Sequence, residues 1–198
     1  MKTLLEGYER FRKGYWQEHE ALYTTLARDG QSPPAMVIAC ADSRVAPEMI
    51  FDCAPGDIFV VRNVSALVPP YAPDKNYHGT SAALEFAVTE LQVRTILVLG
   101  HSRCGGIRAL MKGPGQGGGD FINSWMEIAK TARARVCDSP EAPADFDAAC
   151  ELCEHEAIRV ALDNLRTFPW VAERVRAGTL SLAGMHFNVE TGLLEEVK

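Results

Sequence analysis

The sequence has no run of 18 consecutive apolar residues, no basic run, and an opening stretch, Met1-Lys2-Thr3-Leu4-Leu5-Glu6-Gly7, without the apolar core of a secretory signal. The first absence argues against a membrane-spanning helix and the last against a cleaved leader, so the expectation is a cytoplasmic protein with no membrane partner. With 26 acidic against 20 basic residues and a formal net charge of -6, the electrostatic footprint of a nucleic-acid binder is also missing. Small molecules, or copies of the chain itself, are the expected partners.

Several signatures are absent as well. The glycine-rich stretch Gly113-Pro114-Gly115-Gln116-Gly117-Gly118-Gly119 is not followed by Gly-Lys-Ser or Gly-Lys-Thr, so it is read as a connector rather than a phosphate loop. No Gly-x-Gly-x-x-Gly marks a dinucleotide site, and neither His-x-Glu nor Pro-Cys-x-x-Cys marks a zinc deaminase. Six cysteines in a chain expected to be cytoplasmic are read as ligands or buried thiols, not as a disulfide framework. Cys150-x-x-Cys153-x-His155 resembles half a metal site, but it lies in a helical stretch without a second cysteine pair, and helix packing is the better account.

What is present is a pattern of alternating strand and helix. At 198 residues the chain is expected to form one domain with an arm and to bury roughly 70% of its unfolded surface. Residues 1–30 are assigned to a helical arm. In it Leu5, Tyr8, Phe11, Tyr15, Trp16, His19, Leu22 and Leu26 recur at helical spacing, with a break near Gly14. The arm could pack on its own domain or on a partner subunit. Residues 31–198 are assigned to an α/β catalytic domain. Apolar runs at 35–39, 58–61 and 95–99 have the composition of strands buried on both faces of a parallel sheet. Helices are expected over 80–91, 107–111, 121–135, 148–168 and 171–177, then a strand over 180–189. A turn at Glu190-Thr191-Gly192 leads to an antiparallel edge strand over 193–197.

Two short motifs follow strand-like runs: Cys40-Ala41-Asp42-Ser43-Arg44 and His101-Ser102-Arg103-Cys104-Gly105-Gly106. In an open parallel sheet the carboxyl ends of the strands form the ligand crevice, which is where both motifs fall. Two thiolates and one imidazole, Cys40, Cys104 and His101, suit zinc, one per chain, and leave a fourth position for water as catalytic sites do. Zinc lowers the pKa of such a water to about 7, which provides a hydroxide able to attack a small electrophilic carbon. Asp42, accepting only while ionised, would aim that hydroxide. Arg44, on the same side if the chain stays extended, would pair with Asp42 and depress its pKa.

On these residues the chain resembles the beta class of carbonic anhydrases, through Cys-x-Asp-Ser-Arg at 40–44 and His-Ser-x-Cys-Gly-Gly at 101–106. Arg62-Asn63-Val64, Leu67-Val68-Pro69-Pro70-Tyr71 and Gly79-Thr80-Ser81-Ala82-Ala83-Leu84-Glu85 extend the likeness. The resemblance implies reversible hydration of carbon dioxide to bicarbonate, zinc on Cys40, His101 and Cys104, and an Asp42-Arg44 dyad. It also implies a homodimer or homotetramer with the substrate pocket at a subunit interface. Gln31, Phe59, Val64, Phe86 and Gly105 fall at pocket positions, with Phe86 standing where plant enzymes usually carry a tyrosine. Met36 and Val37, ahead of Cys40, lack the tryptophan of members whose aspartate closes onto zinc, so the resemblance is to the open, plant-type branch. Two rivals remain at this point: a carbon disulfide or carbonyl sulfide hydrolase on the same fold, and a zinc-stabilised binding protein without turnover.

Overall fold

The computed structural model describes residues 1–113 and 119–198, so most of the glycine-rich connector lies outside the described residues. Strands β1 (Ala35–Cys40), β2 (Ile58–Asn63), β3 (Thr95–His101) and β4 (Ser181–Phe187) are parallel, and β5 (Leu194–Glu196) adds an antiparallel edge, in the order β2-β1-β3-β4-β5. This is the expected architecture, with strand bounds within a few residues. Successive side chains of β1 go to opposite faces: Met36 and Ile38 enter one core with Ile96 and Val98, while Val37 and Ala39 enter another with Leu99. Both faces are therefore covered, which is why the strands read as unbroken apolar runs rather than alternating ones.

Residues 2–29 form three short helices, α1 (Lys2–Lys13), α2 (Tyr15–Glu18) and α3 (Glu20–Asp29), broken at Gly14 as expected and again at His19. None of the three buries a residue outright, but Leu26 of α3 lies against Gly56 of its own domain, where an added Cβ would stand 3.0 Å from its side chain, while Leu4, Leu5 and Tyr8 of α1 stay exposed. A one-turn helix α4 (Pro47–Ile50), which no periodicity announced, follows the first motif.

The helix expected over 80–91 is two pieces. Helix α5 (Gly79–Glu85) runs into a π turn at Phe86–Glu90, in which Leu91 N–H reaches the Phe86 carbonyl at 3.0 Å. Helix α6 (Gly105–Lys112) follows β3. The stretch expected as one helix over 121–135 is α7 (Ile122–Met126), a 3-10 turn at Glu127–Ala129 and α8 (Lys130–Cys137). Trp125 and Met126 anchor its first piece: the indole donates to the Val64 carbonyl at 2.7 Å, and Met126 is buried. Helix α9 (Phe146–Leu165), capped by Asp145 accepting from Ala148 N–H at 2.8 Å, crosses the sheet, and α10 (Pro169–Arg176) completes the layer. Ile158 of α9 lies so close to the sheet that a Cβ at either Gly100 or Gly184 would come within 2.6 Å of its side chain. Among the described residues, no helix is long and apolar enough to cross a membrane.

Candidate metal centre

Strands β1 and β3 are neighbours in parallel register, Ala39 beside Leu99, so they run out at the same level. Cys40 is the last residue of β1, His101 the last of β3, and Cys104 the N-cap of α6. Their ligand atoms all lie within 4.8 Å of one another, and all three residues are buried. His101 Nδ1 is 2.8 Å from the Ser102 carbonyl, which can only accept, so the proton sits on Nδ1 and the Nε2 lone pair faces inward. That Nε2 is buried without a hydrogen-bond partner, a condition shared among the described side chains only with Arg133 Nε. A lone pair orphaned between two sulfurs fits a thiophilic cation such as zinc.

The surroundings favour negative charge on one of the two sulfurs. Cys104 is lowered to about 7, first by its bond with Cys40, with Ser65 and the backbone N–H groups of Ile107 and Gly106 adding to this against burial. Cys40 is pushed up to about 12, chiefly because it faces Cys104. The pair shares a proton, and Cys104 is the sulfur that gives its own up first. Burial alone would lower His101, but the neighbouring Cys40 and the Ser102 carbonyl raise it overall, so the same point attracts positive charge.

Ser65 is a residue the sequence did not single out. Its N–H points at Cys40 Sγ at 3.4 Å and its hydroxyl is hydrogen-bonded to Cys104 Sγ at 3.3 Å. It sits in a turn at Val64–Ala66 with φ of 67°, held by the Asn63 amide, which accepts from Leu67 N–H and donates to Leu67 O, both at 2.8 Å. A Cβ at Gly106 would collide with the Ser65 hydroxyl, so the second glycine of the motif is demanded by packing against this turn.

Asp42 and Arg44 pair as expected but not by an extended chain. Val45 N–H closes a turn on the Asp42 carbonyl at 3.0 Å, and Arg44 N–H bonds Asp42 Oδ1 at 3.0 Å, an Asx turn that brings the side chains together. The guanidinium then grips the carboxylate with both prongs, Nε to Oδ1 at 2.9 Å and Nη2 to Oδ2 at 2.7 Å. This bonding holds the carboxyl far below the usual carboxylate range. Arg62 steadies the same loop, donating to the carbonyls of Cys40 at 2.9 Å and Asp42 at 2.6 Å.

Glu154, on α9, was also not foreseen. It is buried, accepts Cys104 N–H on Oε1 at 2.9 Å, and meets His186 Nε2 through Oε2 at 3.1 Å.

The expected pocket residues divide. Val64 lies beside the centre and lines a cavity of about 670 Å³ with Asn63, Pro69, Tyr77 and Trp125, although no metal ligand reaches that cavity wall. Gly105 opens α6 next to Cys104, with open space where a side chain would stand. Gln31, Phe59 and Phe86 are not brought to the centre by their own chain. Phe59 is paired with Met36 while Asn63 is paired with Cys40, which puts it about 13 Å back along the strand. There it packs on Phe86, ring centroids 5.9 Å apart, with Phe86 46% exposed. Gln31 is exposed in the link between α3 and β1. Cys150 and Cys153 are buried, and burial raises both thiols, Cys153 to about 12. They do not join His155 in a site, because positions two apart on a helix face nearly opposite ways.

A family profile described as "Carbonic anhydrase" matches residues 35–194. The chain is 45% identical over 182 residues to Beta carbonic anhydrase 5, chloroplastic, of Arabidopsis thaliana, a match covering 90% of this chain and 58% of that relative's length. Among solved structures, the beta-carbonic anhydrase CcaA superposes with a TM-score of 0.92 at 34% identity, covering 99% of this chain and 86% of that one. Two tetrameric beta-carbonic anhydrases of Sordaria macrospora are represented at a TM-score of 0.87 and 27% identity, over 99% of this chain and 95% of the other.

Proposed function

The chain belongs to the beta-class carbonic anhydrase family, and from that premise we propose that it catalyses the reversible hydration of carbon dioxide to bicarbonate and a proton, with one catalytic zinc held by Cys40, His101 and Cys104. The observation that carries this reading is the buried, partnerless His101 Nε2 between two sulfurs, beside an aspartate pinned by arginine. Zinc, when bound, supplies a water whose pKa is lowered to about 7, hence a nucleophile at neutral pH.

The remaining work falls to side chains. Asp42, kept ionised by Arg44, accepts the hydrogen of the nucleophile and leaves its lone pair turned toward the substrate carbon. Arg44 and Arg62 prevent the Asp42 loop from collapsing onto the metal position, because each bonds a different part of it. Ser65 and Glu154 fix the two cysteines. The intact dyad disfavours a zinc-stabilised scaffold, which has no use for an oriented carboxylate.

Gln31, Phe59 and Phe86 complete the substrate pocket in this reading across a subunit interface, since one chain leaves them away from its own centre. The arm supports such an assembly: Leu4, Leu5, Tyr8, Phe11 and Tyr15 are 37–75% exposed and form an apolar face that the described residues leave largely open. A homodimer is the minimum unit and a homotetramer its natural extension. A purified sample assayed for zinc and for carbon dioxide hydration tests the function directly. Metal without hydration would overturn it, and faster release of sulfide from carbon disulfide than hydration would move the activity to the rival hydrolase.

A further inference from the structure

His186 and Glu195 are cross-strand partners in the β4–β5 ladder, and His155 of α9 lies over them with its ring centroid 4.4 Å from that of His186. His155 Nε2, His186 Nδ1 and a Glu195 carboxylate oxygen all lie within 4.8 Å of one another. We propose that these three residues form a second site, for a divalent transition-metal cation of the zinc class, separate from the Cys40–His101–Cys104 centre and open to solvent on the Glu195 side.

Tautomer chemistry is the first argument. Glu154 is an acceptor on both oxygens, taking Cys104 N–H on one and facing His186 Nε2 at 3.1 Å on the other. In the neutral ring the proton therefore belongs on Nε2, which leaves the Nδ1 lone pair aimed at Glu195 Oε1, itself a lone-pair atom, at 3.5 Å. That separation is longer than a good N–H···O bond, and the His186 side chain is 98% removed from solvent, so water does not settle the conflict from all sides. Positive charge at that point does, supplied either by a second ring proton or by a metal ion between the two atoms. The arrangement is a carboxylate–histidine–metal relay, with Glu154 as the outer carboxylate.

Distance is the second argument. Donors at 2.0–2.1 Å from a tetrahedral zinc stand about 3.3 Å from one another. Glu195 Oε1 is 3.2 Å from His155 Nε2 and 3.5 Å from His186 Nδ1. Burial, and then the neighbouring His186, keep the His155 ring on the neutral side, the form that binds metal. Two imidazoles and a carboxylate make up a recognised zinc ligand set with a fourth position left for water. With Glu195 60% exposed, exchange with bulk metal is expected, and weaker retention than at the buried thiolate centre.

The test uses the zinc-loaded full chain, dialysed and then titrated with Zn²⁺ by calorimetry and with Co²⁺ by absorption. Wild type is expected to take up one further equivalent, its Co²⁺ spectrum lacking the thiolate-to-metal band of the cysteine centre. His155→Ala and Glu195→Gln should each weaken that equivalent at least tenfold and leave carbon dioxide hydration unchanged. Cys40→Ser should lose the first equivalent and keep the second, so the two sites stand or fall separately. No further equivalent in wild type, or equal uptake by both variants, overturns the proposal. Glu195→Gln, at an exposed edge position, keeps the test valid if His155→Ala fails to fold.

Discussion

Glu154 Oε1 accepts the backbone N–H of Cys104 at 2.9 Å, so a buried carboxylate of α9 sets the entry angle of a metal ligand at the start of α6. Glu154→Ala leaves that N–H and the His186 ring without partners in a closed space, which costs about 1–3 kcal/mol for each unsatisfied group. The expected result is a lower denaturant midpoint together with about 10- to 100-fold weaker zinc retention, the range seen when outer-shell partners are removed. Glu154→Gln, which keeps the acceptor for Cys104, should recover most of the zinc retention. Equal losses in both variants would mean that the carboxylate charge, not the hydrogen bond to Cys104, is what counts.

The three ligands act as a set. Cys40→Ser, His101→Ala or Cys104→Ser should each lose zinc and hydration together, measured as metal per chain and initial rate on one preparation. Full zinc occupancy in any two of them would contradict the assignment.

Asp42→Asn separates metal binding from turnover. The amide can donate where the carboxylate only accepts, so the variant should retain zinc while turnover falls about 10²- to 10³-fold, the usual consequence of misdirecting one group at a charge-developing centre. Wild-type turnover would remove Asp42 from the mechanism.

The pH dependence follows from the direction of the Asp42 shift. A carboxyl whose pKa is depressed on folding contributes stability above its unfolded value of about 3.9, and that contribution is lost as pH falls through the folded value. Between pH 5 and 9 it stays ionised and paired. Activity should therefore decline gradually as pH drops through about 7, following a single ionisation of the nucleophilic water. A steep, cooperative loss, with zinc absorption spectroscopy showing an oxygen ligand from the protein, would instead mean that Asp42 leaves Arg44 and closes the centre.

Assembly is tested by deleting residues 1–28. Removing the exposed apolar face of α1 and α2 should weaken association and activity in parallel, read by light scattering at assay concentration. A fully active monomer would show that Gln31, Phe59 and Phe86 are not shared between subunits.

The strands and the candidate ligand motifs were legible because each strand and each motif is written in a few consecutive residues. Doubly covered strands write themselves as apolar runs, and Cys40, His101 and Cys104 stand at the ends of two of those runs. Ser65 and Glu154 were not legible, since an isolated serine or a helix glutamate has no pattern, and only the approach of the Val64–Ala66 turn and α9 gives each a role. The Asp42–Arg44 pair was read correctly as a contact but not in its geometry, because a single side-chain bond to Arg44 N–H is enough to convert an extended strand exit into a turn. Helical periodicity likewise continues through the π turn at Phe86 and the 3-10 turn at Glu127, where the backbone ladder changes but the apolar spacing does not. The sequence set His155 beside Cys150 and Cys153 only as half a metal site and preferred helix packing, because chain neighbours alone do not show that β4 and β5 bring His186 and Glu195 to it from far downstream.

The register of β1 beside β3 also decides when the centre comes into being. Parallel strands pair only after the long crossover between them has closed, and until then Cys40 is apart from His101 and Cys104. Zinc thus finds all three candidate ligands together only once this non-local pairing is in place, and it then acts as a clasp on it. Refolding in the presence of zinc should leave the early steps unchanged and slow the opening of the finished sheet, so that the metal lengthens the lifetime of the fold without hastening its arrival.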